Sequence, residues 1–241
     1  MGVFRFKKFE VVNERSAMKV NTDGVLLGAS MTIRPTDKCL LDIGTGTGTI
    51  ALMAAQRSDG RDSVNIHAVD IDEASATEAG INFGNSPWAE VLTVHHASLD
   101  EFASEEDSLM FDLIFSNPPY FEDSLNAPEE RRNNARHTST GLSYREIMAY
   151  ASERLTEDGH LALVLPAETE HSLCRHARMN GLFLFRIVRV RTVPRKEPSR
   201  IIAEFSRVRC ESPAEEILTI QNEGKYTVEY LSLMRDFYLF A

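Results

Sequence analysis

The residues best suited to chemistry are Asn117-Pro118-Pro119-Tyr120, which follow the apolar run Phe111-Asp112-Leu113-Ile114-Phe115-Ser116. That run reads as a buried strand, and two prolines cannot continue a sheet ladder because each lacks an N–H and fixes its own φ. The chain must leave the strand in a stiff, extended turn. Asn117 then offers its side-chain oxygen and Pro118 its backbone carbonyl as two fixed acceptors, with the ring of Tyr120 or Phe121 beside them as a stacking face. This constellation suits a planar group carrying an exocyclic amine. Taken alone, the four residues are explained equally well by a proline-rich strand-to-loop turn without chemistry.

A second cluster lies upstream in Asp42-x-Gly44-x-Gly46-x-Gly48. The dinucleotide fingerprint GxGxxG needs its third glycine where this chain has Thr49, and no Gly-Lys-Ser/Thr follows to cradle phosphate. The alternating glycines instead resemble the GxGxG turn of S-adenosylmethionine-dependent methyltransferases, in which the backbone closely approaches the amino-acid part of the cofactor. On that resemblance Gly44, Gly46 and Gly48 border the cofactor, Asp42 serves its cationic end, and Asn117 stands between cofactor and target. Asp70, closing the next strand, can accept both ribose hydroxyls, with Asp72 as its rival. Ser98 occupies the place after the third strand where methyltransferases usually put an acidic residue on the adenine amine, so this chain departs from the pattern there.

Regular alternation of elements would bring these clusters together. Strands are expected at 39–43, 64–69, 91–95, 111–116 and 160–165, and helices at 49–56, 73–84, 143–155 and 167–179, the helix at 143–155 closed by Asp158-Gly159. Two strands at 182–193 and 200–210 then follow in succession, joined across 194–199. The expected fold is α/β, a doubly wound, mainly parallel sheet with an antiparallel edge strand, and ligands in such sheets bind beyond the carboxyl ends of the strands. An alternating aromatic and charged arm opens the chain, and 18–29 carries capping residues followed by an apolar first turn, consistent with a loop and helix start that covers a ligand or with a plain packing helix. Residues 227–238 read as a docking helix with Tyr230, Leu233, Met234 and Phe237 on one face. The chain is read as a single domain, with 1–35 as arm and covering segment, 36–210 as core and 211–241 as tail.

Composition bounds the rest. The 241 residues are 43% hydrophobic and 26% charged, ordinary for a globular protein. No run approaches a membrane span and the N-terminus has no apolar signal core, so a cytoplasmic location is expected. Cys39, Cys174 and Cys210 lack any metal-ligand spacing and are read as reduced structural thiols; no metal is expected. His95, His96 and His171 have no partner spacing, and Trp88 after Pro87 reads as packing. The formal net charge of −10 argues against indiscriminate nucleic-acid binding, yet ten basic residues between Arg175 and Arg209 face only Glu197 and Glu204. Because charges beyond about 8 Å are screened at physiological salt, such a zone can hold phosphates on an acidic protein; a solvated strand face is the plainer alternative.

Taken together, the glycine turn and Asn-Pro-Pro-Tyr resemble the amino-group methyltransferases. The whole chain is similar to the bacterial tRNA1(Val) adenine-N6 methyltransferase family through Phe4-Arg5-Phe6-Lys7, the stretch from Ala17 to Ala29, Asn117-Pro118-Pro119-Tyr120-Phe121, Ala135-Arg136-His137 and Phe237-Tyr238-Leu239. The resemblance implies transfer of a methyl group from S-adenosylmethionine to the adenine just 3′ of the anticodon in a valine tRNA. Asn117, Pro118 and Tyr120 would act at the target base, and Phe121, Arg136, His137, Arg195 and Lys196 would hold the RNA, Arg131 and Arg132 being further cations of the same loop. A base stacked on Tyr120 would gain about 1–3 kcal/mol. The protein is expected to act on the tRNA anticodon stem-loop as a monomer, without an obligate protein partner or a membrane. The alternatives are glutamine-N5 methylation of a release factor and a non-catalytic RNA-binding subunit.

Overall fold

The computed structural model describes residues 2–16, 18–59, 63–119 and 142–241. In chain order its elements begin with β1 (Val3–Arg5), β2 (Glu10–Val12), α1 (Thr22–Ser30), β3 (Cys39–Ile43), α2 (Thr49–Arg57), β4 (Asn65–Asp70) and α3 (Glu73–Gly84). β5 (Leu92–His96), α4 (Leu99–Glu105), β6 (Phe111–Ser116), α5 (Tyr144–Arg154), β7 (Leu155–Pro166) and α6 (Glu170–Met179) follow. The chain ends with β8 (Phe183–Arg191), β9 (Arg200–Ser206), β10 (Ala214–Thr219), a short hairpin and α7 (Val228–Met234).

β3 and β6 are almost continuously apolar because both of their faces are covered, as parallel strands require. Leu40 and Leu113 turn to one face and pack in a core that includes residues of α1, α2, α3 and α7, whereas Leu41 and Ile114 turn to the other and meet α4, α5 and α6. The period of two along each strand thus divides the interior into two apolar layers around one sheet.

That sheet has eight strands in the order β10-β8-β9-β7-β6-β3-β4-β5. It is mainly parallel and doubly wound, as the sequence suggests, but its antiparallel strand is not at the edge. The short connection across 194–199 makes β8 and β9 a hairpin, β9 lies between β7 and β8 antiparallel to both, and β10 takes the edge parallel to β8.

Asp158-Gly159 does not close a helix either. α5 ends at Arg154, Leu155 already pairs with Phe111, and the register then shifts so that Leu113 faces His160. Gly159 sits in this irregularity, where a Cβ would come within 2.7 Å of the Phe111 carbonyl oxygen, so its role is close backbone approach. His95 also has a partner that spacing did not reveal: His67 Nδ1 and His95 Nε2 lie 3.1 Å apart across β4 and β5. Trp88 packs as expected, edge-on to Phe9. The thiols of Cys39, Cys174 and Cys210 are free, and burial pushes that of Cys39 up to about 11. Among the described residues no helix is long and apolar enough to cross a membrane.

β1 and β2 pair as a hairpin where the alternating N-terminus suggests only an arm, and α3 fastens it. Asn82 accepts the Val12 N–H at 2.7 Å and donates to the Val12 carbonyl at 3.0 Å. The same amide nitrogen donates to the Thr47 carbonyl at 2.9 Å, so one side chain links the hairpin to the glycine turn.

Candidate active site

A cavity of about 700 Å³ opens at the carboxyl ends of β3, β4, β5 and β6. Its floor is the glycine turn, with Gly44, Gly46 and Gly48 at φ of 71°, 56° and 79°, a conformation that residues bearing a Cβ rarely adopt. The Gly44 and Thr45 N–H groups donate to the Val69 carbonyl at 2.9 and 3.1 Å, which suspends the turn from β4. A Cβ on Gly44 would meet nothing within 4 Å, so the turn leaves open space beside it, as a ligand lying on the backbone requires. Gly48 is different: a Cβ there would stand 2.5 Å from the Phe83 ring, so it serves the packing of the turn on α3 and does not line the cavity.

Asp42 also lies behind the wall. It is fully buried, its Oδ2 accepts the Thr45 hydroxyl at 2.7 Å, and its Oδ1 has no partner among the described residues. Burial pushes its pKa up to about 7, against the opposing pull of the Thr45 hydroxyl and the Ala51 N–H, with the Asp70 charge adding to the rise. Thr45 does line the cavity, so its hydroxyl links the buried Asp42 to the wall.

Asp70 and Asp72 both reach the wall and differ in what they hold. Asp70 accepts the Gly46 N–H on Oδ2 at 2.8 Å and the Asp72 N–H on Oδ1 at 2.9 Å. Burial raises its pKa, these two N–H groups oppose the rise, and the Asp72 charge adds to it. Asp72 caps α3, accepting the Ser75 N–H at 2.9 Å and the Ser75 hydroxyl at 2.7 Å on one oxygen. Between them Ile71 is 70% exposed on the same wall, an apolar plate that the sequence reading missed.

Ser98 lines the cavity, but its hydroxyl is engaged in a capping box with Glu101, donating to Oε2 at 2.7 Å and accepting the Glu101 N–H at 3.2 Å. This accounts for the departure at Ser98: the residue starts α4, a helix the sequence reading also missed although Ser98-x-x-Glu101 ahead of Phe102 is its signature. Leu142, Ala149, Tyr150 and Glu153 line the far end of the cavity, and none of them was anticipated.

β6 delivers Asn117 to this wall. The Ser116 hydroxyl donates to the Ile43 carbonyl at 2.7 Å, locking the end of β6 to the end of β3 beside the glycine turn. Asn117 is buried and Pro119 lines the cavity, whereas Pro118 is buried and does not. Tyr120, Phe121, Arg131, Arg132, Arg136 and His137 lie outside the described residues.

The opening stretch covers the cavity, with Met18, Lys19, Val20, Asn21 and Gly24 on its wall. It is held by Glu78 of α3, whose carboxylate accepts the N–H groups of Glu14, Arg15 and Ser16 at 2.7, 2.9 and 3.0 Å. Burial would raise the pKa of Glu78, but these three donors outweigh it and hold the carboxyl below its ordinary value. Ser16 extends the tie, its hydroxyl lying 3.0 Å from the Ser75 hydroxyl and donating to the Met18 carbonyl at 3.1 Å.

The basic zone is largely consumed internally. Arg186 pairs with Glu204 and Glu216, Arg189 with Glu170 and Glu215, and Arg200 with Asp23. Arg207 donates to the Ser152 and Leu155 carbonyls, and Arg209 lies over the Phe183 ring. Arg195 and Lys196 remain exposed on the β8–β9 connection. β8 runs parallel to β7 and β6, so the connection stands at the sheet edge where the cavity opens, although neither residue lines it.

The methyltransferase small domain family matches residues 15–185. A tRNA1(Val) (adenine(37)-N6)-methyltransferase from Parabacteroides distasonis is 42% identical over 239 residues, covering 98% of this chain and 97% of the relative. One of the same name from Yersinia pestis is 40% identical, covering 99% and 94%. In fold, the chain is similar to a predicted O-methyltransferase, protein Atu636 from Agrobacterium tumefaciens, with a TM-score of 0.64, 16% identity and coverage of 89% and 96%. With its glycine turn, strand-end acid and Asn-Pro-Pro on one cavity, and with relatives matched over nearly their whole length, the chain belongs to the methyltransferase small domain family and, within it, to the tRNA1(Val) (adenine(37)-N6)-methyltransferases.

Proposed function

We propose that the protein methylates N6 of adenine 37 in tRNA1(Val), using S-adenosylmethionine. The observation that carries this reading is the seating of Asn117 at the end of β6, tied through Ser116 to the strand that carries the glycine turn, on the wall of the same cavity. The cofactor supplies an electrophilic methyl group on a sulfonium. Asp70 would accept from its ribose, Ile71 would cover its adenine, and the open backbone at Gly44 and Gly46 would border its amino-acid part.

The residues at the end of β6 address the weakness of the target as a nucleophile. The N6 lone pair of adenine is delocalised into the ring, so acceptors on both hydrogens, the Asn117 side-chain oxygen and the Pro118 carbonyl, localise it for in-line attack. Positioning then supplies most of the rate. Tyr120 or Phe121 would stack on the base, and anticodon-loop bases are already partly unstacked, which lowers the cost of extrusion. Arg195 and Lys196 would meet RNA phosphates at the sheet edge, with Arg136 and His137 as further contacts. A competition assay tests the substrate class: labelled methyl should pass to unmodified tRNA1(Val) and not to release factor, and the reverse result would overturn the reading.

A further inference from the structure

The cavity wall is unevenly charged. Among its described residues are five acids, Asp70, Asp72, Asp100, Glu146 and Glu153, and one cation, Lys19. S-adenosylmethionine carries a sulfonium and an ammonium, which suit such a wall, and a carboxylate, which the acids repel. That carboxylate needs a positive partner, and the covering stretch supplies the one cation on the described wall.

Lys19 also stands where the amino-acid end of the cofactor would lie. Just before it in the chain, the Ser16 hydroxyl and the Met18 carbonyl approach the glycine turn so closely that a Cβ on Gly46 would meet them at 3.5 and 3.7 Å. Just after it, a Cβ on Gly24 would meet the Ile50 side chain in the first turn of α2 at 3.5 Å. Neither helix start on this wall replaces the cation. Asn21 caps α1 by accepting the Gly24 N–H at 2.9 Å, and Asp23 adds a negative charge to its first turn. At the start of α2 the Ala51 N–H goes to Asp42.

Lys19 Nζ donates to the Glu14 carbonyl at 2.5 Å and forms no ion pair among the described residues. An ammonium has three donors, so one bond to a neutral carbonyl anchors the side chain and leaves two for an anion. The anchor is itself held, since Glu78 accepts the Glu14 N–H at 2.7 Å. We infer that Lys19 binds the carboxylate of the amino-acid part of S-adenosylmethionine, which makes the covering stretch a direct part of the cofactor site. The inference rests on S-adenosylmethionine as the methyl donor and is independent of which RNA accepts the methyl group.

Calorimetric titration of the full chain with S-adenosylmethionine and with its decarboxylated analogue, which keeps the nucleoside, the sulfonium and the ammonium, reads this contact. Native protein should bind S-adenosylmethionine at least about tenfold more tightly than the analogue, the scale of a hydrogen bond between charged groups. Lys19→Met keeps an unbranched side chain and removes the charge, so it should weaken S-adenosylmethionine about tenfold and the analogue by less than about twofold. Lys19→Arg should retain most of the selectivity. A Lys19 that only anchors the covering stretch would cost both ligands equally.

Equal losses for the two ligands, or unchanged affinity for S-adenosylmethionine in Lys19→Met, overturn the inference. No RNA enters the measurement, so the two readings fail separately. Native protein that shows the selectivity and loses it in Lys19→Met, yet leaves tRNA1(Val) unmethylated, supports the role of Lys19 and refutes the proposed substrate. Native protein that methylates the tRNA but binds the two ligands alike overturns the role of Lys19 alone, and binding of neither ligand overturns both.

Discussion

Asp70 Oδ2 accepts the Gly46 N–H at 2.8 Å, which couples the acid at the end of β4 to the middle of the glycine turn. One carboxylate therefore shapes the turn and faces the cavity. Asp70→Ala should weaken S-adenosylmethionine by about tenfold or more, because it removes an ionised acceptor and releases the turn. Asp70→Asn, which keeps one oxygen for Gly46, should lose less. Calorimetric titration checks both, and unchanged affinity in Asp70→Ala would transfer the role to Asp72.

Ile71 lines the cavity and is 70% exposed. Ile71→Ala should leave Tm unchanged and weaken the cofactor roughly five- to tenfold, the scale set by the apolar surface that no longer leaves water. A Tm loss with normal affinity would make Ile71 a packing residue.

Glu78 and Asp42 should give acid stability profiles of opposite sign. The folded pKa of Glu78 is lowered from 4.5, so its contribution is present above that value and is lost as pH falls through the folded pKa. Native protein should thus lose stability below about pH 4.5 more steeply than Glu78→Gln. At neutral pH Glu78→Ala should cost about 1–3 kcal/mol by stranding backbone donors, and it should loosen the covering stretch. Urea unfolding across pH reads each effect.

The folded pKa of Asp42 is raised from 3.8 to about 7, so its contribution is complete below 3.8 and is lost as pH rises through about 7. Asp42→Asn should flatten that decline in the ligand-free protein. An unchanged slope would mean that Asp42 is already ionised in the fold.

Much of this architecture was legible in the chain. The apolar run before Asn117 and the glycines after β3 gave the strand ends correctly because fully buried strands have no polar face to obscure them. Tertiary pairing defeated other readings. Asp158-Gly159 carries a helix-stop signature, yet Leu155 was already claimed by the ladder to Phe111. The basic zone between Arg175 and Arg209 counted charges in one dimension, whereas Glu170, Glu215 and Glu216 reach it from α6 and β10. The resemblance of the glycine turn makes Asp42 a cofactor contact, but Asp42 is buried behind the wall, and its Oδ2 accepts from Thr45, which does line the cavity. Ile71 and α4 left signals that were present and passed over.

Asn117→Ala should reduce methyl transfer by at least about a hundredfold while leaving cofactor affinity near native, since it removes an acceptor that matters most in the transition state. Full turnover in this variant would refute the assigned role.

The most direct measurement is transfer of labelled methyl from S-adenosylmethionine to unmodified tRNA1(Val), set beside the same transcript with guanine in place of adenine 37. Label on the first alone is the predicted result and establishes substrate, base and position together. Equal labelling of both transcripts, or of neither, would contradict methylation of adenine 37.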